Sequence, residues 1–555
     1  MIAGQGDLLP VSALPVGGAF PTGTAKWEKR SIAHEIPIWD PFICIDCAKC
    51  SLVCPHAAIL MKVFEPIVAD QAPGSFQHKE WRDRENPGMW MTIQVAPDDC
   101  TGCGVCVDVC PAKSKEEVRH RSINMEPKAE HLEAERANFA FFQGIAPPDK
   151  RDVKVASIKG SQMLEPLFEF SGACAGCGET PYLKLLSQMF GDRILIANAT
   201  GCSSIFGGNL PTTPWSVGRD GRGPAWSNSL FEDNAEFGLG MRLAIDHQAA
   251  HARELLTELA SEAGPDLADE LRSADQSTEA GIHDQRKRVA DLKRRLEPLE
   301  SYAARELLSL ADALVRKSVW IVGGDGWAYD IGFGGLDHVL ATGRDVNILV
   351  LDTQVYSNTG GQASKATPRG AVAKFATGGK AVGRKDLGMI AAAYGNVYVG
   401  QVAMGADNAQ TVKALAEAES WHGPSVVIAY STCIEHGIDM STSMTHQGDA
   451  VKSGFWPLYR YDPRHEKDGD RPFQLDSRRP SMPVRDFQAK EARFAMLARS
   501  RPREHAELQR LAQADAEERW HFYEQLAGVE RHPPGHLEDH EGRAEPPAEE
   551  EEVEP

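Results

Sequence analysis

Twelve cysteines constrain the fold of this 555-residue chain more than any other feature of its sequence. Eight of them form two runs of the pattern C-x2-C-x2-C-x3-C-P, which are Cys44, Cys47, Cys50 and Cys54, then Cys100, Cys103, Cys106 and Cys110. In such a run three cysteines wrap one iron–sulfur cluster, and the fourth ligates the neighbouring cluster. The spacing therefore predicts a small two-cluster domain near the N-terminus.

The two runs exchange their fourth cysteines in the predicted fold. The first cysteine set is Cys44, Cys47, Cys50 and Cys110, and the second cysteine set is Cys100, Cys103, Cys106 and Cys54. Each set would hold one [4Fe–4S] cluster in an α+β domain of the ferredoxin type. Zinc also binds C-x2-C pairs, but zinc sites rarely repeat this frame, with its following proline, twice. A disulfide framework is not expected, since a chain of this size has little need of such staples.

Four cysteines remain outside the runs, and four is the number that a third [4Fe–4S] cluster needs. This third cysteine set is Cys174, Cys177, Cys202 and Cys433. The first two form a C-x2-C pair on a glycine-rich loop, and the last follows a predicted strand. The alternative is four structural or free cysteines, which is a common fate of buried cysteine. A chain with three clusters would move single electrons.

Charge and hydropathy exclude several classes of function. The net charge of −20 argues against a nucleic-acid surface and disfavours anionic membranes. No run of about 18 apolar residues predicts a membrane span. The N-terminal sequence lacks the basic and apolar regions of a signal peptide. Thiolate clusters need a reducing compartment, so we expect a cytoplasmic protein with neither a nucleic-acid nor a membrane partner.

Composition divides the chain into five predicted segments. Pro147-Pro148 marks a linker, and a stretch dense in charge looks like a solvated helical insertion. The acidic, proline-rich end has no aromatic residue and is expected to be disordered. The segments are an extended arm (1–40), the two-cluster domain (41–125), a linker (126–165), a second domain (166–530) with a helical insertion (262–300), and the acidic tail (531–555).

The second domain alternates short apolar runs with helical segments. Residues 319–323, 346–351 and 425–430 read as buried strands, and residues 331–342 read as a helix. Strand–helix–strand alternation implies a parallel sheet. The predicted fold class is therefore α/β, with a parallel-sheet domain joined to the small α+β domain.

A Gly324-Asp325-Gly326 turn directly follows the first of these strands. Its glycines let the backbone approach a diphosphate, and the following helix N-terminus favours negative charge. Asp325 offers an oxygen to Mg²⁺, and Thr353 offers a second 28 residues later. This pattern is typical of thiamine diphosphate sites. A dinucleotide fingerprint is excluded, because no G-x-G-x-x-G frame fits.

Several longer motifs resemble one known family, the pyruvate:ferredoxin (flavodoxin) oxidoreductases. The motifs include FEFSGACAGCGETPY, NATGCSSIFGGNLPTTPW, GDGWAYDIGFGGLDHVLATG and DTQVYSNTGGQASKATP. The resemblance extends from about residue 7 to about residue 500 and is to the C-terminal half of the family's single-chain members. It implies that the parallel-sheet domain binds thiamine diphosphate and that the third cysteine set ligates the cluster nearest to it.

The resemblance also implies individual site residues. Asp325, Thr353 and the carbonyl of Val355 match the Mg²⁺ ligands, and Asn358 matches a catalytic residue close to the substrate. The matched thiamine diphosphate contacts are Glu179, Cys202, Gly324, Asp325, Gly326, Trp327, Thr353, Gln354, Val355, Tyr356, Ser357 and Asn358. By contrast, His56, His436 and His446 have no ligand spacing and are interpreted as structural. Lys365 could contact a phosphate or be a solvated loop residue.

The family implies a reaction and several partners. Pyruvate and coenzyme A (CoA) would give acetyl-CoA, CO₂ and two electrons, which ferredoxin or flavodoxin accepts. The pyrimidine-binding domain, with its proton-relay glutamate, and the CoA site lie in the family's N-terminal half. We therefore expect this chain to be incomplete alone, and the complete enzyme to be a homodimer. The alternatives are another 2-oxo acid, of the 2-oxoglutarate or indolepyruvate type, or an electron-transfer module with a degenerate thiamine domain.

Overall fold

The computed structural model of this protein describes residues 4–14, 16, 19–83, 87–467 and 471–530. The predicted acidic tail lies outside the described residues. Within the described residues, thirteen strands form three sheets. In chain order the strands are β1 (Glu35–Trp39), β2 (Ile59–Phe64), β3 (Lys79–Glu80), β4 (Trp90–Val95), β5 (Ile123–Pro127), β6 (Ile194–Ala199), β7 (Ala225–Ser229), β8 (Ser318–Gly324), β9 (Asn347–Asp352), β10 (Tyr398–Val402), β11 (Ser425–Tyr430), β12 (Tyr459–Tyr461) and β13 (Phe473–Leu475).

Helices connect and cover these sheets. In chain order they are α1 (Lys49–Leu52), α2 (Val105–Asp108), α3 (Lys128–Gly144), α4 (Ile158–Met163), α5 (Thr180–Phe190), α6 (Cys202–Gly207), α7 (Asn234–Glu258), α8 (Ala260–Ala263), α9 (Pro265–Ser273), α10 (Glu279–Leu296), α11 (Tyr302–Leu310), α12 (Phe333–Ala341), α13 (Leu387–Ala392), α14 (Asn408–Ser420), α15 (Ser443–Lys452), α16 (Arg464–Lys467), α17 (Val484–Gln488), α18 (Ala492–Ser500) and α19 (Pro502–Leu526). Among the described residues, no helix is both long and apolar enough to cross a membrane.

The small domain contains two antiparallel sheets around the cysteine runs. Strand β1 pairs with β5, and β4 lies between β2 and β3. The single-turn helices α1 and α2 carry Cys50 and Cys106, and both of these side chains are buried. Glycine at position 104 precedes α2 with a φ of +78°, a left-handed conformation that favours glycine. The chain can therefore turn sharply from the cysteine loop into the helix.

The stretch predicted as a linker contains the 17-residue helix α3. Phe139 and Phe142 of this helix are buried in the core of the small domain. Lys62 reaches the end of α3 and donates to the carbonyls of Phe142 and Ile145, at 3.0 and 2.6 Å. Cations at a helix C-terminus satisfy its free carbonyls and its dipole, so α3 is an integral part of this domain.

The second domain is built on an eight-stranded sheet in the order β13-β12-β10-β11-β9-β8-β6-β7. The six strands from β10 to β7 are parallel, and β12 and β13 are antiparallel at one edge. Side chains alternate between two cores, so Val319 and Ile321 face one layer while Trp320 and Val322 face the other. A parallel sheet covered on both faces explains the nearly continuous apolar strands. The predicted α/β fold class is confirmed.

Helices α7 to α11 form a helical unit between β7 and β8. Their core includes Leu255, Leu256, Leu292 and Leu307, all of which are buried. The unit is larger than the predicted insertion, because α7 and α11 lie wholly outside residues 262–300. Their apolar residues complete the core of this unit.

The two domains pack directly against each other. Leu52, Val53 and Val105 of the small domain belong to one of the two cores that cover the large sheet. The Asp108 carboxylate accepts hydrogen bonds from the backbone N–H and the hydroxyl of Thr445, at 2.9 and 2.6 Å. This contact places the second cysteine run beside the sheet domain.

Candidate cofactor site

The carboxyl ends of four parallel strands bring the predicted site residues to one edge of the sheet. Strands β6, β8, β9 and β11 are followed by Cys202, Asp325, Thr353 and Cys433, respectively. Because neighbouring parallel strands end at the same edge, residues far apart in sequence converge there. Open α/β sheets commonly bind ligands at this edge.

Three oxygens of the predicted Mg²⁺ ligands lie together. The Thr353 hydroxyl oxygen is 3.0 Å from a carboxylate oxygen of Asp325 and 3.0 Å from the carbonyl oxygen of Val355. A hydroxyl has a single hydrogen and cannot donate fully to both. Adjacent ligands of octahedral Mg²⁺, with bonds of about 2.1 Å, are about 3.0 Å apart. The spacing of these oxygens therefore fits three adjacent positions around Mg²⁺.

Asp325 is fully buried beside a second carboxylate. Burial, followed by the nearby Asp352, raises the pKa of Asp325 to about 7. Asp352 itself accepts hydrogen bonds from the Tyr329 hydroxyl at 2.7 Å and from Arg384 at 3.2 Å. The hydroxyl of Ser364 donates to Asp325. Sequence analysis missed Ser364, although it lies in the motif GGQASKATP. A cation at this point would compensate the buried negative charge.

Gly326 lets the 324–326 turn lie close to the ring of Tyr356. A Cβ at position 326 would lie 2.3 Å from the ring of Tyr356, so only glycine fits there. The Tyr356 hydroxyl donates to the Gly326 carbonyl at 3.1 Å. After the turn, residues 326–331 form one π-helical turn that leads into α12.

One pocket collects the predicted thiamine contacts, with a single exception. It is lined by Glu179, Thr200, Gly201, Cys202, Ser203, Phe231, Gly324, Asp325, Gly326, Trp327, Thr353, Val355, Tyr356, Ser357, Asn358 and Thr359. Sequence reasoning missed Thr200, Gly201, Ser203, Phe231 and Thr359, although most of them adjoin quoted motifs.

Gln354 does not line this pocket, so its contact with thiamine diphosphate stays a prediction. Its backbone is left-handed, with a φ of 61°, and its side-chain oxygen accepts from Arg493 at 2.7 Å. The carbonyl of Gln354 accepts from the Thr367 hydroxyl at 2.6 Å. Gln354 therefore connects the loop to Arg493 and Thr367 outside the pocket.

Two buried polar atoms at the pocket lack a hydrogen-bond partner within the protein. They are one carboxylate oxygen of Glu179 and the indole nitrogen of Trp327. Burial, followed by the charge of Asp325, raises the pKa of Glu179 to about 8. Buried polar groups without partners are rare, so these atoms fit a polar ligand. The pocket encloses only about 30 Å³, against the roughly 300–1,000 Å³ of typical ligand sites. The described residues therefore form one wall of a site.

The third cysteine set lies against this pocket. The Cys202 sulfur is 3.2 Å from the hydroxyl oxygen of Ser357, and the Asn358 side chain also hydrogen-bonds Cys202. Burial, then Glu179, raises the pKa of Cys202 to about 12, with a smaller contribution from Cys174. Burial also raises the pKa of Cys433, and the charge of Cys202 adds to this shift. Cys177, Cys202 and Cys433 are partly buried and Cys174 is exposed, and thiolates placed this close together would need compensating metal charge.

Cys50 and Cys106 each have the fourth cysteine of the other run among their neighbours, as the predicted exchange requires. Burial raises the pKa of Cys50 well above the usual range, and its charged neighbours Cys47, Cys44 and Cys110 add to the shift. Burial likewise raises the pKa of Cys106, with contributions from its neighbours in the second set, which are Cys103, Cys54 and Cys100. Within the described part of the chain, no three His, Cys, Asp or Glu side chains are arranged around a single metal ion. Sequence spacing and these neighbour relations define the three sets.

The three sets lie in series. Cys50 of the first set also contributes to the pKa shift of Cys106 in the second. Cys103 of the second set is hydrogen-bonded by the backbone N–H of Gly176, which lies between Cys174 and Cys177. The second set thus has neighbours in both of the others.

The three histidines interpreted as structural are all buried. His56 contacts the Ser171 carbonyl at 3.1 Å, and His446 contacts Glu491 at 2.7 Å. His436 lies in the site itself, with one ring nitrogen 2.7 Å from the carbonyl of Thr353. Burial lowers the pKa of His436 to about 3, so its ring is neutral.

Lys365 lies at the surface of the loop that follows the site. Its ammonium pairs with Asp330 at 3.1 Å. The side chain is 62% exposed, which leaves this lysine in contact with solvent.

Comparisons with known proteins give the class of both domains. Residues 43–114 match a 4Fe-4S dicluster domain, and residues 92–143 match a second model of the same description. Residues 307–429 match the C-terminal TPP binding domain of thiamine pyrophosphate enzymes, and residues 1–33 match a domain of unknown function. Fold and site thus define an iron–sulfur protein with a thiamine diphosphate-binding domain.

Full-length relatives identify the family. The chain is 59% identical over 534 residues to a pyruvate-flavodoxin oxidoreductase of Trichormus variabilis, covering 96% of this chain and 45% of that protein. It is 52% identical over 531 residues to that of Rhodospirillum rubrum, covering 95% and 44%. It is 50% identical over 533 residues to the pyruvate:ferredoxin oxidoreductase of Moorella thermoacetica, covering 94% and 45%. The chain belongs to the pyruvate-flavodoxin oxidoreductase family and spans less than half the length of these relatives, consistent with a C-terminal half.

Proposed function

We propose that this chain is the part of a pyruvate:ferredoxin or pyruvate:flavodoxin oxidoreductase that carries the clusters and the diphosphate end of thiamine diphosphate. The complete enzyme, a homodimer, would convert pyruvate, CoA and two oxidised one-electron carriers into acetyl-CoA, CO₂, a proton and two reduced carriers. The 3.2 Å contact between Cys202 and Ser357 carries this proposal. It joins the predicted thiamine-binding stretch to the third cysteine set.

The residues present fit both parts of the cofactor. Asp325, Thr353 and the Val355 carbonyl would hold Mg²⁺, since their oxygens are spaced for adjacent ligand positions. The 324–326 turn lines the same pocket, where its backbone would face the diphosphate. Thiamine diphosphate would supply the electron sink for decarboxylation of a 2-oxo acid. Asn358 would orient the substrate, because it lines the pocket beside Cys202.

The order of the cysteine sets suggests the direction of electron flow. Each set would hold one [4Fe–4S] cluster, giving three per chain. The third set adjoins the pocket, the second touches the third through Cys103 and Gly176, and the first adjoins only the second in these contacts. Electrons would therefore enter at the third set and leave at the first. At the first set, Phe42 and Ile45 lie on either side of Cys44, and they are 93% and 60% exposed.

A partner would supply the opposite wall of the pocket. The described wall encloses about 30 Å³, and Ile205, Leu230 and Ile331 are exposed in segments that adjoin it. Thiamine chemistry also needs a carboxylate that relays the proton at the pyrimidine ring. The N-terminal half of the family would provide this group together with the CoA site. Closure of the two halves would exclude water from the reacting carbon.

The test uses the full chain with its clusters intact, under anaerobic conditions. Dithionite should reduce the clusters of the chain alone, and these should pass electrons to ferredoxin and to flavodoxin. Pyruvate, CoA, Mg²⁺ and thiamine diphosphate should leave them oxidised. Adding the N-terminal half of the Trichormus variabilis relative as a separate chain should then start the reduction. The clusters are followed by loss of visible absorbance.

Two outcomes would overturn this proposal. Reduction by pyruvate without the partner, at about 1 s⁻¹ or faster, would mean that this chain holds a relay group of its own. Failure of pyruvate to reduce the clusters in the assembled pair, while 2-oxoglutarate succeeds, would assign a different substrate. In the assembled pair of halves, Asn358→Ala should bind thiamine diphosphate but lower the rate of cluster reduction at least tenfold. The matched control Glu65→Gln, at an exposed position, should not change this rate.

A further inference from the structure

The segment 353–358 is tied at two points to ligands of the third cysteine set. One tie runs from Ser357 to Cys202, and the other runs through His436 from Thr353 to Cys433. No described hydrogen bond of the 324–326 turn reaches a cysteine of this set. The cofactor segment and the cluster ligands are therefore linked by side chains as well as by proximity.

The first tie is a hydroxyl beside a sulfur. Ser357 Oγ lies 3.2 Å from Cys202 Sγ, and in a thiolate only the hydroxyl can donate. Hydrogen bonds to cluster sulfurs help set the reduction potential. Donation stabilises the added negative charge, so the Ser357 hydroxyl favours the reduced cluster.

The second tie is an imidazole between two backbone groups. His436 Nε2 must donate to the Thr353 carbonyl, 2.7 Å away, because a carbonyl can only accept. In the neutral ring Nδ1 is then the acceptor, and the Cys433 N–H lies 3.4 Å from it. A movement of Thr353, as on metal binding, would thus reach the backbone of a cluster ligand.

From these contacts we infer that Ser357 and His436 are positioning residues that couple Mg²⁺–thiamine diphosphate binding to the reduction potential of the third cluster. This inference rests on the proposed function. By linkage, if the bound cofactor shifts this potential, then reduction of the cluster changes the affinity for the cofactor by the same factor. The physical route is the pair of ties at Thr353 and Ser357.

The test is an anaerobic redox titration followed by electron paramagnetic resonance. The signal of the third cluster is assigned by its loss in Cys174→Ala. Ser357→Ala should lower its midpoint potential by about 59 mV, which corresponds to a tenfold change for one electron. Ser357→Thr keeps the hydroxyl and should restore the potential. Ser431→Ala is the matched control, because that hydroxyl donates to the Ala429 carbonyl and should leave the potential unchanged.

His436 is tested in the assembled pair of halves, with and without Mg²⁺–thiamine diphosphate. The cofactor should shift the midpoint potential of the third cluster in the native pair, and His436→Phe should reduce this shift at least by half. His131→Gln, whose partner is Glu126 in the small domain, should preserve it. An unchanged potential in Ser357→Ala, or no cofactor-induced shift in the native pair, would overturn the inference. Absence of a third-cluster signal from the native chain would instead refute the electron route of the proposed function.

Discussion

The cysteines of the small domain come from two short runs, whereas those of the third set come from three separate segments of the sheet domain. Cys44, Cys47 and Cys50 are ordered by a loop and a single helical turn. Cys202 and Cys433 instead follow β6 and β11, which are separated in the sheet by β8 and β9. One region builds its ligands from local backbone geometry, and the other builds them from sheet topology.

This difference determines where a cluster and thiamine diphosphate can interact. In the small domain the cysteine loops carry no predicted thiamine contact. In the sheet domain the edge that positions Cys202 also positions Asp325 and Thr353, so cluster and thiamine residues share one pocket wall. Damage to a ligand should therefore stay local in the first region and spread in the second.

The largest expected effect comes from removing one ligand in each region. We expect about twelve iron atoms per chain for three clusters. Cys106→Ala should lose about four of them and keep its affinity for thiamine diphosphate in the assembled pair. Cys202→Ala should lose a similar amount of iron and also bind thiamine diphosphate at least tenfold more weakly. Iron and sulfide analysis and calorimetry measure the two effects.

Cys202→Ser separates the two roles of this side chain. It keeps a polar group in the pocket while weakening iron ligation, so cofactor binding should recover more than iron content. Equal loss of cofactor affinity in Cys106→Ala and Cys202→Ala would contradict the contrast between local and shared sites. A native iron content near eight would show that the third set holds no cluster.

The second effect concerns the metal oxygens alone. Asp325→Ala removes a charged ligand from the cluster of three oxygens, so thiamine diphosphate should bind at least tenfold more weakly, equivalent to about 1.4 kcal/mol. Iron content should not change, because Asp325 touches no cysteine in the described hydrogen bonds. Calorimetry on the assembled pair measures the affinity. Asp337→Ala, whose partner is the Tyr394 hydroxyl on the outer side of α12, is the matched control.

If Asp325→Ala binds the cofactor like the native pair, the metal site is misplaced. If it loses iron as well, the metal oxygens and the third cluster form one structural unit. Cys202→Ala tests whether a cluster ligand affects cofactor binding, and Asp325→Ala tests whether a metal ligand affects iron content. Together they show whether the coupling at this edge runs in both directions.

Sequence alone predicts the local region more fully than the shared one. The two cysteine runs carry their ligand pattern within eleven residues each, so both sets and their exchange could be stated in advance. Strands β8, β9 and β11 are also readable, because buried parallel strands are continuous apolar runs. Strand β10 and the antiparallel edge were not predicted, since they are short and their pairing depends on distant residues.

The remaining differences have the same origin. Gln354 lies within a matched motif, but its left-handed backbone turns it towards Arg493, a residue 139 positions away. His436 has no ligand spacing, yet it lies between Thr353 and Cys433. Helix α3 is rich in Ala and Glu, which favour a helix, and only the packing of Phe139 and Phe142 against the small domain could not be read from the sequence. Such contacts arise in the folded chain and leave no local pattern.

The smallest expected effect lies at the junction between the two regions. Glu169 lines a cavity of about 250 Å³ there, together with Lys62, Glu165 and Arg219. Burial, followed by the charge of Glu165, raises the pKa of Glu169 to about 8 from a usual value near 4.5. Between these values the folded state holds a proton that the unfolded state has released. Stability therefore falls as the pH rises from about 4.5 to about 8.

Glu169→Gln replaces the titrating carboxyl with a neutral amide and should stabilise the junction at the upper end of that pH range. Because the side chain is only partly buried, we expect the Tm of the full chain to rise by about 2–4 °C at pH 8, with a smaller gain at pH 6. Anaerobic calorimetry at the two pH values measures the difference. The exposed Glu65→Gln should leave Tm unchanged at both. A variant whose Tm equals that of the native chain at pH 8 would show that Glu169 is already ionised there, and that the junction is as open to water as the surface of either region.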